Sequence, residues 1–209
     1  MVALAGGTTP RGLYVRLADK AAPFRAVIPW ERTHFFWGDE RAVPPDHPDS
    51  NYHLASETLL RHVPAVEEQI HRMRGENPDA VRAAEEYEAI LRDAFHLGAA
   101  EWPRFDLILL GMGEDGHTAS LFPESAALFA NDRLAIATKG APSNGDRITL
   151  TLPVLNAAAV VIFLVSGEGK AATLKRLMAG EDLPAARVKP FNGDRLWLVD
   201  RDAAQLLPK

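Results

Sequence analysis

Short runs of apolar residues alternate with segments of helical spacing along the whole chain. Phe105 to Leu110 ends in four consecutive aliphatic residues, and Val160 to Val165 is apolar throughout. A run without alternation is typical of a parallel strand that is covered on both faces. Apolar residues at Val2 to Ala5, Thr33 to Trp37 and Leu196 to Val199 predict three further strands. Additional strand candidates are Ile70 to Met73, Arg133 to Thr138 and Arg147 to Leu152.

Helix signals lie between these strands. A Thr or Asn directly before Pro favours a helix start, because the polar side chain caps the helix and Pro fits its first turn. Thr9-Pro10 and Asn77-Pro78 have this pattern, and the first of the two helices should run to about Asp19. The second should bury one face, made of Val81, Ala84, Tyr87, Leu91, Ala94 and Phe95. Other predicted helices run from Asn51 to about His62, from Lys170 to Met178 and from Ala203 to Leu207.

The repeated order of strand, glycine turn and helix predicts an α/β fold. We expect one domain over residues 1–209, with a mainly parallel, Rossmann-like sheet flanked by helices. Ligands of such folds bind beyond the carboxyl ends of the strands. Glycine turns stand at three predicted strand ends, at Gly6-Gly7, Gly111 to Gly113 and Gly167. The sequence therefore predicts a ligand site where these turns meet.

Composition excludes several classes of protein. The 209 residues are 47% hydrophobic and 24% charged, which is typical of a globular chain and excludes a disordered one. The net charge of −5, without a dense basic segment, argues against a nucleic-acid partner. The start, MVALAGG, lacks the pattern of a secretion signal and no apolar run reaches membrane-spanning length, so we expect a cytoplasmic protein with no membrane partner. The chain has no cysteine and no closely spaced histidine pair, so we expect neither a metal nor a cofactor.

The turn Gly6-Gly7-Thr8-Thr9 is a candidate phosphate site. Two glycines let backbone N–H groups approach an anion, the threonines add hydroxyl donors, and the positive end of a helix dipole faces the same point. The alternative is a plain tight turn before a capped helix. The turn is neither a P-loop nor the dinucleotide-binding fingerprint.

Three cations also stand at the ends of predicted elements. Arg41 closes the stretch Gly38-Asp39-Glu40-Arg41, and its guanidinium suits a phosphate or a carboxylate. The two acids beside it are expected to hold it by charge pairing. Arg147 begins a strand and Lys170 begins a helix. Each is a candidate border of one cleft, although a solvated surface charge is the plainer alternative for every one of them.

The segment from Gly111 to His117, GMGEDGH, is the strongest candidate for chemistry. It follows the most buried of the predicted strands, and its three glycines allow the backbone to wrap a ligand. His117 is expected to begin a helix and to act as a base near neutral pH. Asp115 can fix its tautomer. The alternative is a structural loop with a capping histidine.

Taken together, these stretches resemble the 6-phosphogluconolactonase family. The match follows the family's order over nearly the whole chain, and its most specific part is LGMGEDGHTASLFP. The matching stretches are Gly6 to Pro10, Trp37 to Arg41 with Val43-Pro44 and Ser50-Asn51, Leu110 to Pro123, Arg147 to Leu150 with Asn156, Gly167 with Lys170-Ala171, and Trp197 to Asp200 with Ala203-Ala204.

The resemblance implies a fold shared with glucosamine-6-phosphate deaminase and ribose-5-phosphate isomerase. It implies metal-independent hydrolysis of 6-phosphoglucono-δ-lactone to 6-phosphogluconate in the oxidative pentose phosphate pathway, with His117 as the catalytic histidine. We assign the substrate's phosphate to Gly7, Thr8, Thr9, Arg41, Arg147 and Lys170. We also expect Asn51, Gly113 and Asp115 to contact the substrate. The protein is expected to be a monomer or a small homo-oligomer.

The sequence departs from the family in two places. Family members usually carry a leading segment with a helix before the first glycine pair, which here begins at residue 6, so we expect either a truncated or misassigned start or a dispensable helix. The loop from Gly140 to Asp146 also has fewer basic residues than is usual.

Two alternative functions stay open. The first is a glucosamine-6-phosphate deaminase or sugar-phosphate isomerase on the same fold. The deaminase pattern looks different in two places. It has Asp-Glu-Tyr where this chain has Asp39 to Arg41, and Ala-Phe-Asn-Glu-Pro where this chain has Ala119 to Pro123. The second is a non-enzymatic sugar-phosphate sensor. Such sensors carry a DNA-binding segment, for which we find no room in these 209 residues.

Overall fold

The computed structural model describes residues 1–140 and 145–208, which form two β-sheets with helices packed around them. The strands are β1 (Val2–Leu4), β2 (Phe35–Trp37), β3 (Asp39–Arg41), β4 (Leu107–Leu110), β5 (Ala135–Lys139), β6 (Asp146–Leu150), β7 (Val160–Val165) and β8 (Asp194–Val199). The α-helices are α1 (Thr8–Ala18), α2 (Asn51–Thr58), α3 (Ala80–Ala94), α4 (Leu152–Ala157), α5 (Ala171–Met178) and α6 (Arg201–Ala204). Within these described ranges, no helix has the length and apolar character needed to cross a membrane.

The larger sheet has five strands in the order β2-β1-β4-β7-β8, all of them parallel. The two continuous apolar runs, β4 and β7, lie side by side near its centre, with Ile108 opposite Val161. Both side chains are fully buried because helices cover both faces of the sheet. The predicted α/β fold with a mainly parallel sheet is therefore confirmed.

The smaller sheet was not predicted. Its three strands are antiparallel in the order β3-β6-β5, and they place Arg41 opposite Arg147. The strand candidates at 133–138 and 147–152 belong to this sheet rather than to the parallel one. β3 escaped prediction because its residues, Asp39 to Arg41, are all charged. Hydrogen bonds rather than apolar contacts satisfy its two buried carboxylates, so no hydrophobic pattern marks the strand.

Gly38 joins the two sheets. It is the single residue between β2 and β3. Its N–H donates to the carbonyl oxygen of Leu4 at 3.0 Å, and its own carbonyl accepts from the N–H of Leu150 at 2.9 Å. One residue is thus hydrogen-bonded to a strand of each sheet.

Several predicted element boundaries were wrong. The helix starting at Asn51 ends at Thr58 rather than near His62, and a separate short 3₁₀ turn follows it. Ile70 forms one isolated bridge with Phe35 instead of a strand. At the chain's other end, the last helix lies at Arg201–Ala204 rather than at Ala203 to Leu207, because the Asp200 carboxylate caps it.

Both predicted Pro-based helix starts also shift by a residue or more. α1 begins at Thr8, with Gly7 in the capping position. α3 begins at Ala80, because the carboxylate of Asp79 accepts the N–H groups of Val81 and Arg82. This start leaves Val81 exposed, so its assignment to the buried face was wrong.

Two buried tyrosine hydroxyls fix the carboxyl ends of the first two strands. Tyr14 donates to the carbonyl of Ala5 at 2.7 Å and accepts the N–H of Ala5 at 2.9 Å. Tyr87 makes the same pair of bonds with Trp37, at 3.2 and 3.0 Å. Each hydroxyl replaces a missing ladder partner where a strand leaves the sheet. The turns that follow β1 and β2 therefore start from rigid positions.

Glu88 ties α3 to the smaller sheet. Its carboxylate is 9% exposed and accepts bonds from the Arg92 and Arg133 guanidiniums and from the N–H of Leu134. Burial alone would raise the pKa of Glu88, but these three donors outweigh burial and hold its pKa below the ordinary value. The stabilisation is therefore present above the pKa of Glu in the unfolded chain and is lost as pH falls through the lower folded-state pKa.

We expect Glu88→Gln to lower the free energy of unfolding at pH 7 by about 1–3 kcal/mol, because buried donors lose a charged acceptor. The difference from the unchanged protein should shrink as pH falls below about 4, where the unfolded-state carboxylate becomes protonated, and further as pH passes the lower folded-state pKa. Urea titrations across pH measure both effects. Glu181→Gln, which removes the acceptor of the exposed pair with Arg176, is the control and should cause no measurable change. A difference that grew on acidification would contradict the assigned sign.

Candidate active site

A single cleft lies where the parallel strands end. The turns after β1, β4 and β7 form its floor, and the smaller sheet contributes a wall. It brings together all but one of the candidate residues named from the sequence, which are Gly7, Thr8, Thr9, Arg41, Asn51, Gly113, His117, Arg147 and Lys170. Other lining residues include Asp39, Ala119 and Ser166. The predicted position of the cleft, at the carboxyl ends of the parallel strands, agrees with the structure.

The first glycine turn brings the N-terminal end of α1 to the cleft. Gly7 has a φ of 97°, a conformation that suits glycine, and it caps α1 without using a side chain. α1 has no acidic residue in its first turn, so the positive end of its dipole is not neutralised there. The hydroxyl of Thr9 lies 3.3 Å from that of Ser166 in the turn after β7. This geometry can hold an anion.

The wall from the smaller sheet carries two guanidinium groups. Arg41 and Arg147 are opposite one another in the β3–β6 pairing. Burial lowers the pKa of Arg147, and the neighbouring charge of Arg41 lowers it further, although Asp39, Glu40 and Asp49 oppose this. Two like charges held close together in a cleft attract a dianion strongly.

Arg41 is positioned by backbone contact rather than by charge pairing. Its Nη1 donates to the carbonyl of Asp49 at 2.5 Å, and its buried Nε has no hydrogen-bond partner among the described residues. The expected pairing with the adjacent acids was wrong. The Asp39 carboxylate accepts from Asn51 and Ser120. The Glu40 carboxylate accepts backbone N–H groups, including that of Asn51, and not the Arg41 guanidinium. Arg41 also lies within a strand rather than in a segment that follows one, while Arg147 lies near the start of its strand as expected; both strands belong to the antiparallel sheet.

Lys170 supplies a third cation to the cleft, from the start of α5. It is the capping residue of α5, after a short 3₁₀ turn that begins behind Gly167. The Asp200 carboxylate accepts the N–H of Gly167 at 3.1 Å from each of its oxygens, which holds this turn in place. Lys170 therefore reaches the cleft from a well-supported position.

His117 presents one free ring nitrogen. Its Nδ1 lies 2.6 Å from Oδ1 of Asp115, which also accepts the backbone N–H of His117 at 3.0 Å. An ionised carboxylate can only accept, so Nδ1 carries the proton and Nε2 is left with a lone pair. The His117 ring packs against Phe122, with centroids 4.6 Å apart.

The carboxylate beside His117 is ionised at neutral pH. Burial tends to raise the pKa of Asp115, but the backbone N–H and the charge of His117 hold that pKa below its ordinary value. Asp115 is the one candidate outside the cleft, since it lines a separate pocket with Phe122 and Lys139. Its contact is with His117, and so its place in the site is to orient the imidazole.

His117 does not begin a helix, so that prediction was wrong. The segment makes a tight turn in which Gly116 has a φ of 86° and Ala119 a φ of 48°. The Thr118 hydroxyl donates to the carbonyl of Gly111, and Thr118 bridges to Leu121. Positive φ values at two nearby residues are incompatible with a right-handed helix.

Asn51 joins three parts of the cleft. It is 2% exposed, and its Nδ2 donates to both the carbonyl and the carboxylate of Asp39. Its amide also packs against Gly6, where a Cβ atom would stand 1.7 Å from Asn51 Oδ1. Gly6 is therefore required by close packing rather than by backbone conformation.

Two polar side chains that line the cleft were not identified as candidates from the sequence. Asp39 was interpreted only as a charge partner of Arg41, yet it lines the cleft and accepts the Ser120 hydroxyl at 2.6 Å. Ser166 was not named, although its place directly before Gly167 at the end of β7 was a usable signal. Over residues 1–140 and 145–208, no group of three or more His, Asp or Glu side chains is arranged to hold a metal ion.

Comparisons with known proteins agree with this geometry. A family model described as glucosamine-6-phosphate isomerases/6-phosphogluconolactonase matches residues 1–197. A 6-phosphogluconolactonase of Synechocystis sp. is 43% identical over 210 residues, covering 99% of this chain and 84% of that protein.

Solved structures give the same result. The 6-phosphogluconolactonase of Thermotoga maritima superposes with a TM-score of 0.80 at 35% identity, covering 95% of this chain and 84% of the other. That of Trypanosoma brucei superposes with a TM-score of 0.86 at 31% identity, covering 99% and 86%. The chain belongs to the family of glucosamine-6-phosphate isomerases and 6-phosphogluconolactonases, and the resemblance found in the sequence is confirmed.

The absence of a side chain at Gly113 is needed for the His117–Asp115 contact. A Cβ there would stand 2.1 Å from His117 Nδ1 and 2.5 Å from Asp115 Oδ1. We expect Gly113→Ala to break this hydrogen bond and to abolish the downfield Nδ1–H signal in ¹H–¹⁵N spectra of histidine-labelled protein. Gly111→Ala is the control in the same loop, because a Cβ there meets nothing within 4 Å. A retained Nδ1–H signal in Gly113→Ala would show that the loop can rearrange around the added methyl group.

Proposed function

We propose that this chain hydrolyses 6-phosphoglucono-δ-lactone to 6-phosphogluconate in the oxidative pentose phosphate pathway, with His117 as the general base. One observation carries the proposal: a single cleft contains an imidazole with a bare Nε2 together with Arg41, Arg147 and Lys170. Such a cleft suits a substrate that has an anionic group at one end and a hydrolysable bond at the other. The 6-phosphogluconolactonases to which the chain is similar support the same reaction.

The phosphate provides binding energy that is remote from the reacting carbonyl. Arg41 and Arg147 offer guanidinium donors, Lys170 adds a third charge, and the amides of the Gly7-Thr8-Thr9 turn add neutral donors. Holding the phosphate in this way places the lactone ring over the Gly111 to His117 segment. Binding of the phosphate therefore also positions the reacting carbonyl, which lowers the entropic cost of the chemical step.

Hydrolysis begins when His117 takes a proton from water. Nε2 accepts that proton as the water attacks the lactone carbonyl. The Asp115 carboxylate keeps the proton of Nδ1 in place and stabilises the imidazolium that forms. Backbone N–H groups or a cation of the cleft stabilise the oxyanion of the tetrahedral intermediate.

Collapse of the intermediate opens the ring. The protonated His117 donates its new proton to the departing ring oxygen, which leaves the hydroxyl group of 6-phosphogluconate and restores neutral imidazole. A sugar δ-lactone is an activated ester that already hydrolyses in water. A positioned base and a charged cleft are therefore sufficient for the acceleration proposed here.

The proposal extends to the organisation of the protein. We take residues 1–209 as one domain, since strands of both sheets line the same cleft. The substrate is a charged sugar phosphate that does not cross a lipid bilayer unaided, so the reaction belongs in the cytoplasm where such sugars are made. We expect the protein to be a monomer or a small homo-oligomer.

A lactone-hydrolysis assay, corrected for the spontaneous rate, tests the proposal. The purified protein should accelerate hydrolysis of 6-phosphoglucono-δ-lactone and should release no ammonia from glucosamine 6-phosphate. Ammonia release without lactone hydrolysis would favour the deaminase alternative. Binding of sugar phosphates without turnover of any of them would favour the sensor.

We expect His117→Ala to lower kcat for the phosphorylated lactone by roughly 10²–10⁴-fold, the usual contribution of a positioned acid–base group. Affinity for 6-phosphogluconate should change little, because the phosphate-binding cations are untouched. Steady-state kinetics and calorimetry measure the two quantities. A variant that kept near-normal kcat above background would remove His117 from the mechanism.

We expect Arg41→Ala or Lys170→Ala to lower kcat/KM for the phosphorylated lactone about tenfold or more, since each deletes a charge-assisted contact worth about 1.5–3 kcal/mol. Hydrolysis of unphosphorylated gluconolactone should be nearly unaffected, because that substrate never makes the contact. Lys175→Ala on the exposed side of α5 is the matched control for Lys170. Equal losses on both substrates would mean that the cation serves the carbonyl or the fold instead.

A further inference from the structure

Glu40 is a buried carboxylate that the mechanism above does not use. It is 2% exposed and stands between two cleft residues, Asp39 and Arg41, on β3. Side chains alternate along a strand, so Glu40 points to the opposite face from its two neighbours. That face meets the start of α2.

Four donors converge on this carboxylate. Oε1 accepts the backbone N–H groups of Arg41 at 2.8 Å and Asn51 at 2.7 Å. Oε2 accepts the N–H of Tyr52 at 2.8 Å and the hydroxyl of Ser50 at 3.0 Å. Burial raises the pKa of Glu40, while these four hydrogen bonds oppose that rise. A set of donors alone matches the ionised form, which only accepts.

These bonds fix residues that line the cleft on two sides. Arg41 is held at its backbone by Glu40 and at its guanidinium by the carbonyl of Asp49, the residue directly before Ser50. Asn51 is held by Glu40 at its backbone and in turn fixes Asp39 and packs against Gly6. One carboxylate thus sets the relative positions of the guanidinium wall and the first glycine turn.

The negative charge of Glu40 also helps to hold the Arg41 and Arg147 guanidinium groups near one another. It is one of the carboxylates that oppose the lowering of the Arg147 pKa by burial and by Arg41. A negative charge behind the two guanidiniums reduces their mutual repulsion before any substrate is bound. Glu88 makes a useful contrast, because it is also a buried, multiply bonded carboxylate, but its partners Arg92, Arg133 and Leu134 do not line the cleft.

We propose that Glu40 is a positioning residue for phosphate recognition, which holds Arg41 and Asn51 in their binding geometry through the start of α2. The identity of the phosphorylated substrate rests on the proposed function, whereas the positioning of the anion site does not. Glu40 touches neither the phosphate nor the reacting atoms. Its removal should therefore change affinity for the phosphate end more than the rate of the chemical step.

The test compares Glu40→Gln with Glu88→Gln, using titration with inorganic phosphate followed by NMR, thermal unfolding, and kinetics on the phosphorylated lactone. Both variants should lower Tm. We expect Glu40→Gln alone to weaken phosphate binding about tenfold and to raise KM about tenfold, with kcat changed less than about threefold, since an amide donor would face N–H groups. Phosphate affinity equal to that of Glu88→Gln would overturn the proposal and leave Glu40 a purely structural role.

Glu40→Asp covers the case in which Glu40→Gln does not fold. It keeps the charge but withdraws both oxygens by one methylene group, and we expect phosphate binding to weaken about threefold. Binding at the unchanged protein's affinity would show that charge, rather than positioning, is what Glu40 supplies. Phosphate titration also separates this proposal from the proposed function. If the unchanged protein failed to hydrolyse the lactone but Glu40→Gln still weakened phosphate binding, only the proposed reaction would be wrong.

Discussion

Much of this structure is arranged around one electrostatic constraint. The guanidinium groups of Arg41 and Arg147 lie on opposite strands and face the same cleft. Arg41 and Arg147 repel each other, and burial makes the repulsion more costly. Carboxylates behind and beside them offset that cost, and the same carboxylates carry the hydrogen bonds that join β3 to α2 and to the His117 loop. In the proposed phosphate site, a bound dianion would relieve the remaining repulsion. Folding and ligand recognition therefore depend on one balance of charges.

The His117 segment meets a different constraint, which is steric. Its imidazole and the Asp115 carboxylate occupy space that a side chain at residue 113 would fill, and Gly116 takes a backbone conformation that favours glycine. The segment is joined to the guanidinium wall by Ser120, whose hydroxyl donates to Asp39 and whose N–H donates to the hydroxyl of Thr149. The proposed base and the proposed anion site are thus held in register by short polar contacts, in addition to the apolar core that Leu121 shares with Ile148.

The sequence predicted those parts of the molecule that hydrophobic burial determines. β4 and β7 are continuous apolar runs, and the glycines at their ends marked the cleft. It did not predict β3, whose charged residues are buried through hydrogen bonds that only the tertiary structure supplies. For the same reason the acids beside Arg41 were misassigned, because adjacency in sequence suggested pairing while strand alternation points Glu40 away from Arg41. The turn at His117 was mistaken for a helix start because positive φ at Ala119 has no signature in its residue type.

The two backbone hydrogen bonds of Gly38 limit how far the two sheets can move relative to one another. Its N–H is bound to one sheet and its carbonyl to the other, so the junction between the sheets is closed on both sides by backbone hydrogen bonds. A junction of this kind resists opening as a hinge. The larger sheet and the smaller sheet that carries Arg41 and Arg147 are therefore held in one arrangement before any ligand binds. For the proposed site, an arrangement that forms when the chain folds would reduce the conformational entropy lost on binding, and product release would not require the two sheets to separate.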